Sequence, residues 1–236
     1  MKILVIGGMH GNERLGLEVG KLFRENPVDN VDVVIANQPA VEADCRYLGE
    51  DLNRSFPGSA NSDNFEQKRA YELLNVAKDY DVVLDFHNTY CPNNDCGFVG
   101  ETAQKTLYDV SWLLGLKRII VADYECINKY APNCLSVEMS LDSSNNRPEV
   151  WYERIKTLAT LKSFEVESAI ELYRFAYRIT LDDKDKYGLD KMQLKAFESI
   201  PKGLASKLGI KETTYPIFVG DNFTPYNYGG LVCKLN

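Results

Sequence analysis

The sequence contains no uninterrupted apolar run that approaches the roughly 18 residues of a membrane span, and this absence argues against a transmembrane protein. It also has no signal-peptide pattern, because a predicted core strand begins at the N-terminus, and we therefore expect a cytoplasmic protein. Basic residues are outnumbered, with 27 Lys and Arg against 34 Asp and Glu, which gives a net charge of −7. This balance argues against a nucleic-acid partner, since such a partner normally requires a basic patch.

None of the six cysteines belongs to a C-x-x-C pair, which argues against a structural zinc site. In a reducing compartment we expect free thiols, and Cys91 and Cys96, which bracket a short polar loop, are the pair that oxidation would join. Internal repeats and low-complexity tracts are also absent. With 236 residues, 44% hydrophobic and 26% charged, the chain has the composition of an ordinary globular protein, with one large domain or one domain plus a small appendage.

Histidine is scarce, because the sequence contains only His10 and His87. Each follows an apolar run typical of a buried strand, at residues 3–6 and 82–86. Taken alone, a histidine in such a place is more often an ordinary structural residue. In an open α/β sheet, however, ligand sites concentrate at the carboxyl ends of strands, and both histidines are predicted to lie there. The pair therefore favours a shared site.

Glu13 lies three residues after His10, in the turn between the first strand and the first predicted helix. A catalytic zinc ion typically has three protein ligands and one water, and imidazole nitrogen and carboxylate oxygen are both suitable ligands. We therefore predict that His10, Glu13 and His87 bind one Zn²⁺ per chain. Asp85 lies two residues before His87, on the same face of its strand, and is predicted to accept the second N–H of His87 and fix its tautomer.

Alternating apolar and amphipathic segments predict an α/β fold for the first part of the chain. The predicted strands are residues 2–6, 31–36, 82–86, 118–122 and 135–139, and the predicted helices are residues 13–24, 65–78, 102–114 and 148–164. A long polar stretch between residues 40 and 62 has no periodicity of its own. Loops of this length are typically functional or disordered, and its two arginines, asparagine and acids favour a functional loop.

The pattern changes after residue 166, where short strand candidates are separated by Gly, Pro and Asn at residues 173–179, 215–219 and 231–235. We therefore predict two domains, an α/β catalytic domain at residues 1–165 and a small β-rich C-terminal domain at residues 166–236.

The predicted zinc site permits hydrolysis of an amide. A carboxylate is then needed to take a proton from water, and Glu138, which follows a buried run, is the candidate; the alternative is a solvent-facing Glu at a strand end. Arg46 and Arg54 are the available cations, one for the developing oxyanion and one for a substrate carboxylate. In isolation, both arginines would be interpreted as surface residues.

Five segments in this order resemble the aspartoacylase and succinylglutamate desuccinylase family, a branch of the zinc carboxypeptidase-like hydrolases. The resemblance covers roughly residues 1–165 and is carried by residues 8–13 (Gly-Met-His-Gly-Asn-Glu), Arg46, residues 51–54 (Asp-Leu-Asn-Arg), residues 85–89 (Asp-Phe-His-Asn-Thr) and residues 137–138 (Val-Glu). It implies a three-layer α/β/α sandwich with a mixed, mainly parallel sheet and a small β-rich C-terminal domain that narrows access to the site. It also implies a zinc site at the three residues already predicted from their spacing.

The resemblance further implies hydrolysis of the amide of a small anionic N-acyl amino acid. Glu138 matches the general base and acid, and Arg46 matches the arginine that polarises the scissile carbonyl. Asn53 and Arg54 match the pair that binds the substrate carboxylate. A homo-oligomer is compatible with the sequence, whereas nucleic-acid and membrane partners are not expected.

The sequence departs from the family pattern in two places. Aspartoacylase-type members carry a further arginine upstream of the catalytic glutamate, and this region contains Lys129 instead, so that a point charge replaces the planar guanidinium. A family tyrosine over the site matches Tyr226 or Tyr228. Two other functions remain as alternatives, a carboxypeptidase acting on peptides and a catalytically silent metal- or ligand-binding module. Glu138 and the two arginines favour an enzyme, because metal binding alone needs none of them.

Overall fold

A computed structural model describes residues 1–122, 124–162, 169–220 and 227–235. Within these ranges nine strands form one sheet: β1 (Ile3–Gly7), β2 (Val31–Ile35), β3 (Val82–Thr89), β4 (Cys96–Gly100), β5 (Arg118–Ala122), β6 (Cys134–Ser140), β7 (Glu171–Thr180), β8 (Thr214–Ile217) and β9 (Asn227–Leu235). The α-helices are α1 (Leu15–Glu25), α2 (Gln38–Glu42), α3 (Phe65–Ala77), α4 (Thr106–Leu113), α5 (Ile127–Tyr130), α6 (Pro148–Thr160), α7 (Leu181–Tyr187) and α8 (Lys202–Lys207). Short 3₁₀ turns occupy Leu52–Arg54 and Leu189–Lys191.

The strands follow the order β2-β1-β3-β6-β4-β5-β7-β9-β8 across the sheet. Neighbouring strands are parallel except at the pairs β6–β4, β7–β9 and β9–β8. The sheet is therefore mixed and mainly parallel, as predicted. β3 lies near its centre, between β1 and β6, and all eight of its residues are buried.

Helices cover both faces of the sheet, as the alternation along β1 shows. Ile3 and Val5 belong to a buried cluster that includes residues of α1, α4 and α6, whereas Leu4 and Ile6 belong to a second cluster with residues of α3 and α5. Since successive strand residues point to opposite faces, these two clusters are the two sides of the sheet. This arrangement confirms the predicted α/β/α sandwich.

The first turn of α1 is capped by a residue distant in sequence. Arg14 at the helix start makes no capping hydrogen bond with its side chain; instead, the Leu15 backbone N–H donates to Oδ1 of Asn88 at 3.0 Å. One buried face of the helix contains Leu15, Val19 and Phe23, spaced four residues apart. The end of β3 therefore fixes where α1 begins.

The C-terminal strands continue the same sheet, because β7 pairs in parallel with β5 and β9 pairs with β7. Residues 173–179 and 231–235 lie in β7 and β9 as predicted, and residues 215–219 overlap β8. The helices α7 and α8 between β7 and β8 were not predicted. The predicted domain boundary between residues 165 and 166 lies outside the described residues and stays a prediction. Among the helices described, none combines the length and the apolar character that crossing a bilayer requires.

Candidate metal centre and its cavity

The ends of two adjacent parallel strands bring both histidines together. β1 ends at Gly7, and Gly8 then adopts a φ of +69°, the left-handed region that favours glycine. The turn that follows carries His10 and Glu13 over the edge of the sheet, and both side chains are buried. His87 lies within β3, which continues through Thr89, and not after the strand as the sequence indicated.

The three predicted metal ligands form one compact cluster. His10 Nδ1 lies 2.8 Å from Glu13 Oε1, and His87 Nδ1 lies 2.9 Å from Glu13 Oε2. The two Nδ1 atoms are 3.3 Å apart. Within the described residues, this is the group of His, Cys, Asp and Glu side chains whose atoms are close enough, within 4.8 Å of one another, to bind a single ion.

Each imidazole contacts an aspartate carboxylate through its Nε2 atom, on the side away from the cluster. His87 Nε2 lies 2.8 Å from Asp85 Oδ2, as the sequence predicts. His10 Nε2 lies 3.2 Å from Asp51 Oδ1, a contact between residues 41 positions apart that sequence reasoning missed. Both outer nitrogens face carboxylates, so both Nδ1 atoms are directed toward the cluster. This carboxylate–histidine arrangement is the usual support of metal-binding imidazoles.

The electrostatics of the cluster favour a cation. Burial raises the pKa of the Glu13 carboxyl, but the two neighbouring imidazoles outweigh burial and lower that pKa well below its usual range. Burial lowers the pKa of His87, but Asp85 and Glu13 outweigh it and raise that pKa well above its usual value. The buried carboxylates thus attract positive charge to the position between the imidazoles.

The donor set fits a zinc ion. Two imidazole nitrogens and one carboxylate oxygen are the ligands of a common type of catalytic zinc site, and such a site leaves one position for water. A purely structural role would not require three buried ionisable groups to converge, since buried charges are costly unless they are paired or bind a metal.

A cavity opens beside the cluster and contains the other residues that carry chemistry. Its polar lining includes Arg46, Asn53, Arg54, Asn128, Glu138 and Arg178, and its apolar lining includes Phe98, Tyr124, Phe175, Ile217 and Phe218. The residues come from both parts of the chain, because β7, β8 and β9 continue the sheet that also contains β1 and β3. The cavity therefore combines a possible metal site, cations and an aromatic wall, which is formed by Phe98, Tyr124, Phe175 and Phe218.

Arg46 links the loop of residues 40–62 to the cluster. Its Nη1 atom donates to Glu13 Oε1 at 3.4 Å, and its Nη2 atom donates to Asp51 Oδ2 at 3.3 Å. Burial raises the pKa of the Asp51 carboxyl, but the hydrogen bond from His10 and the nearby guanidinium groups lower it overall. Asp51 thus remains ionised while it holds both His10 and Arg46.

Glu138 lies on β6, directly beside His87 on β3 in the parallel register of these strands. Two residues earlier in the same register, Asp85 pairs with Ser136, and the Ser136 hydroxyl donates to Asp85 Oδ2 at 3.3 Å. Since every second residue of a strand faces the same side, Glu138 shares the face of His87. The carboxylate therefore stands at the wall of the cavity next to the cluster.

Comparison with known proteins agrees with this geometry. Residues 1–100 match the sequence model of the succinylglutamate desuccinylase/aspartoacylase catalytic domain. These residues are the N-terminal part of the chain, and they resemble the catalytic domain of that family. The family predicted from the sequence motifs is thereby confirmed.

Curated relatives match the N-terminal part of the chain. An N-acyl-aromatic-L-amino acid amidohydrolase (carboxylate-forming) of Mus musculus is 36% identical over 114 residues, which are 41% of this chain and 36% of the relative. A probable aspartoacylase of Prochlorococcus marinus (strain MIT 9301) is 35% identical over 103 residues, 37% of this chain and 34% of the relative. The chain thus spans about a third of the length of these relatives.

Solved structures confirm the fold over the whole chain. The succinylglutamate desuccinylase from Chromobacterium violaceum has a TM-score of 0.73 at 17% identity and covers 100% of this chain and 85% of its own. Murine aminoacylase 3 has a TM-score of 0.69 at 20% identity and covers 100% of this chain and 95% of its own. At this level of identity, the likeness shows the fold alone.

The family resemblance also assigned Lys129 and Tyr226 to the substrate, and of these two only Lys129 lies within the described residues. Lys129 lies on α5, where its ammonium group pairs with the Glu125 carboxylate on the protein surface. Tyr226 lies outside the described residues, so its assignment stays a prediction, as does the alternative assignment of Tyr228, which is half-buried.

Sequence reasoning missed the aromatic wall and Arg178. Tyr124 follows β5, and burial raises the pKa of its hydroxyl. The Arg54 guanidinium lies 4.8 Å from the centre of the Tyr124 ring, and Phe98 and Phe218 stack with their centroids 5.9 Å apart. These residues come from β4, β7 and the loops beside β5 and β8. No local pattern marks them, because only the order of the strands brings them together.

Proposed function

We propose that the protein is a zinc-dependent hydrolase that cleaves the amide bond of a small N-acyl amino acid. The observation that carries this proposal is the buried His10, Glu13 and His87 cluster at a cavity that also contains a carboxylate and several arginines. The relatives, an N-acyl-aromatic-L-amino acid amidohydrolase and a probable aspartoacylase, support the same reaction class.

The three residues of the cluster would bind one Zn²⁺. Asp51 and Asp85 would accept the Nε2–H of the two imidazoles, and this tautomer leaves each Nδ1 able to bind the metal. When bound, zinc supplies the Lewis acidity that makes water a nucleophile near neutral pH. The chain supplies the remaining parts of the reaction, which are proton transfer, charge stabilisation and orientation of the substrate.

Glu138 would move the proton in this reaction. Adjacent strands lie about 4.8 Å apart, so its position beside His87 puts the carboxylate next to the cluster and inside the cavity. It would take a proton from the attacking water and then pass it to the leaving amide nitrogen. The C–N bond breaks as the nitrogen accepts this proton, and a carboxylic acid and an amino acid are released.

The arginines would stabilise and position the substrate. Arg46 is fixed between Glu13 and Asp51, so its charge lies beside the cluster, where an oxyanion would develop on the scissile carbonyl. Arg54 and Asn53 lie side by side in the 3₁₀ turn and both line the cavity. A guanidinium group and an amide at this place suit the carboxylate of the amino acid.

The aromatic wall would bind the apolar part of the substrate. Phe98, Tyr124, Phe175 and Phe218 line one cavity, where Phe98 stacks on Phe218 and Tyr124 packs edge-on against Phe175. Aromatic side chains bury a large apolar area with few rotatable bonds, and they therefore favour an apolar acyl group or side chain.

The test is a substrate panel with the zinc-loaded protein. N-acetyl amino acids with aromatic, aliphatic and acidic side chains are compared with short peptides, and release of free amine is measured. We expect hydrolysis of N-acetyl amino acids above peptides, with loss of zinc and activity in the double variant His10→Ala, His87→Ala. Preferential removal of C-terminal residues from peptides would instead establish a carboxypeptidase. A zinc-loaded protein that hydrolyses nothing in the panel would overturn the proposal in favour of a binding module.

A further inference from the structure

A second cavity lies on the face of the sheet opposite the metal cluster. Met139 lines this second cavity, whereas the preceding residue, Glu138, lines the cavity beside the cluster. Successive residues of a strand point to opposite faces, so β6 separates the two cavities. The apolar lining of the second cavity contains Leu116, Met139 and Trp151, which belong to the buried cluster shared with α1, α4 and α6. A ligand of the second cavity therefore does not occupy the space assigned to the substrate.

Cations dominate the charged lining of the second cavity. The described lining includes three cations and one carboxylate, which are Lys117, Arg118, Arg154 and Asp95. The carboxylate accepts hydrogen bonds from the Ser140 backbone N–H at 3.0 Å and from the Ser143 hydroxyl. Asp95 is thus held by neutral donors at and after the end of β6. The second cavity retains an excess of positive charge, although the whole chain has a net charge of −7.

Neutral groups hold the guanidinium group of Arg154 in the second cavity. Its Nη2 atom donates to Asn145 Oδ1 at 3.1 Å, and its Cζ atom lies 5.5 Å from the centre of the Trp151 ring. Among the described residues none forms an ion pair with Arg154, and burial without an opposing carboxylate lowers the pKa of its guanidinium group. A partly buried cation that lacks a counter-charge would gain from an anionic ligand.

The turn between α4 and β5 fixes the position of this guanidinium group. Gly115 in that turn has a φ of +80°, in the left-handed region that favours glycine. A Cβ atom on Gly115 would lie 3.1 Å from Arg154 Cζ, so the absence of a side chain makes room for the guanidinium group. A planar group that is already held in place loses less conformational freedom when it binds an anion.

The other two cations lie at the start of β5. Arg118 Nη1 donates to the carbonyl of Asn93, which lines the same cavity, at 3.4 Å. Arg118 Nε is buried and has no hydrogen-bond partner within the described residues. It lies 3.6 Å from Oε2 of Glu171, a carboxylate that also pairs with Lys234. Lys117 is exposed and adds a third positive charge to the lining. Arg118 and Lys117 therefore retain donors for a ligand.

We propose that the second cavity binds a phosphate-type oxyanion, which Arg154, Arg118 and Lys117 hold together. A doubly charged oxyanion matches the excess of positive charge better than a monocarboxylate does, and its oxygens accept hydrogen bonds from several cations at once. The cavity volume of about 230 Å³ indicates a small ligand. The ligand is either free phosphate or the phosphate group of a small ester. This inference goes beyond the proposed hydrolase function and does not depend on it.

Tryptophan fluorescence measures binding in the second cavity itself. Trp151 lines this cavity, whereas no tryptophan is among the described residues that line the cavity beside the cluster. The chain has two tryptophans, so Trp112→Phe leaves Trp151 as the single emitter. In the zinc-loaded Trp112→Phe protein, we expect inorganic phosphate to change the emission of Trp151 until the site is saturated. An emission that inorganic phosphate leaves unchanged would overturn the proposal.

Variants in the same Trp112→Phe background test the lining. Arg154→Gln should weaken phosphate binding about 10- to 100-fold, because it removes charge-assisted hydrogen bonds. Lys117→Gln should weaken it about two- to fivefold, since water screens an exposed charge. This exposed substitution keeps the test valid where Arg154→Gln fails to fold. Lys156→Gln is the matched control, because it removes a charge from the exposed side of α6 outside the cavity and should bind phosphate as before.

A comparison of inorganic phosphate with glycerol 3-phosphate identifies the source of the ligand. Tighter binding of glycerol 3-phosphate supports a phosphate ester, and equal or weaker binding supports free phosphate. Equal phosphate affinity in the parent protein, Arg154→Gln and Lys117→Gln would overturn the site. No turnover is measured, so a failure of this proposal leaves the hydrolase function intact, and a protein without hydrolase activity still tests the site.

Discussion

At the scale of single residues, the proposed chemistry depends on the positions of two carboxylates, one in the turn after β1 and one on β6. Glu13 is buried between the imidazoles, whereas Glu138 is half-buried at the wall of the cavity. The first therefore suits a cation, and the second has access to both water and substrate. We therefore propose two roles for the same chemical group, which burial and neighbouring charges distinguish.

Glu138→Gln should abolish turnover without releasing zinc. Glutamine keeps the size of the side chain but cannot accept a proton, so we expect kcat to fall about 10²- to 10⁴-fold, the usual contribution of general acid–base catalysis. Elemental analysis should show the same zinc content as the wild type, since Glu138 is not part of the cluster. Glu153→Gln, on the exposed face of α6, is the control and should remain active. A zinc-loaded and fully active Glu138→Gln protein would rule out this role.

At the scale of elements, the turn between β1 and α1 depends on close backbone packing. A Cβ atom on Gly11 would lie 2.1 Å from the Ala40 carbonyl carbon. The turn that carries His10 and Glu13 therefore contacts α2 directly through the backbone. This contact also brings the loop of residues 40–62 to the cluster, where the Gly11 backbone N–H donates to the Arg46 carbonyl at 3.2 Å. A glycine between His10 and Glu13 is therefore required by packing.

Gly11→Ala should destabilise the protein and weaken zinc binding together. The added methyl group collides with backbone that has no rotamer to adjust, and overpacking of this kind typically lowers the free energy of unfolding by about 1–3 kcal/mol. Gly203→Ala is the matched control, because a Cβ atom there meets nothing within 4 Å and the residue lies in α8. Urea denaturation of both variants measures the difference. Equal stability of the two variants would contradict the close contact.

At the scale of the whole molecule, the cluster should couple metal binding to stability. His87 lies on β3, and His10 and Glu13 lie in the turn after the neighbouring β1, so a ligand that binds all three would connect two strands of the folded chain. The unfolded chain does not hold these residues together, because His87 is 77 residues from His10. We therefore expect zinc binding to be linked to folding.

Removal of zinc should lower the thermal midpoint. At a free zinc concentration about 100 times Kd, binding adds about 2.7 kcal/mol, which corresponds to about 5–10 °C for a domain of this size. Differential scanning fluorimetry with a chelator, followed by added zinc, measures the loss and its recovery. The double variant His10→Ala, His87→Ala should show no response to either treatment. A wild-type midpoint that is unaffected by the chelator and by zinc would contradict a metal site in this cluster.

The sequence by itself determined the elements that have a local pattern. The apolar runs at residues 2–6 and 82–86 predicted β1 and β3, and the spacing of His10 and Glu13 predicted a shared site, because strand periodicity and turn chemistry are encoded within a few neighbouring residues. Asp85 was predictable as the partner of His87 for the same reason, since two residues on a strand share a face.

Only the tertiary structure decided which distant residues meet. Asp51 supports His10 across 41 residues, and a bulge in β7 at Ala176 turns Arg178 toward the cavity against the regular alternation of its strand. Lys129 matched a substrate-binding position by sequence, but its ion pair with Glu125 holds it at the surface. Strand order, register and ion pairing depend on the packing of the whole chain, and the local sequence does not contain that information.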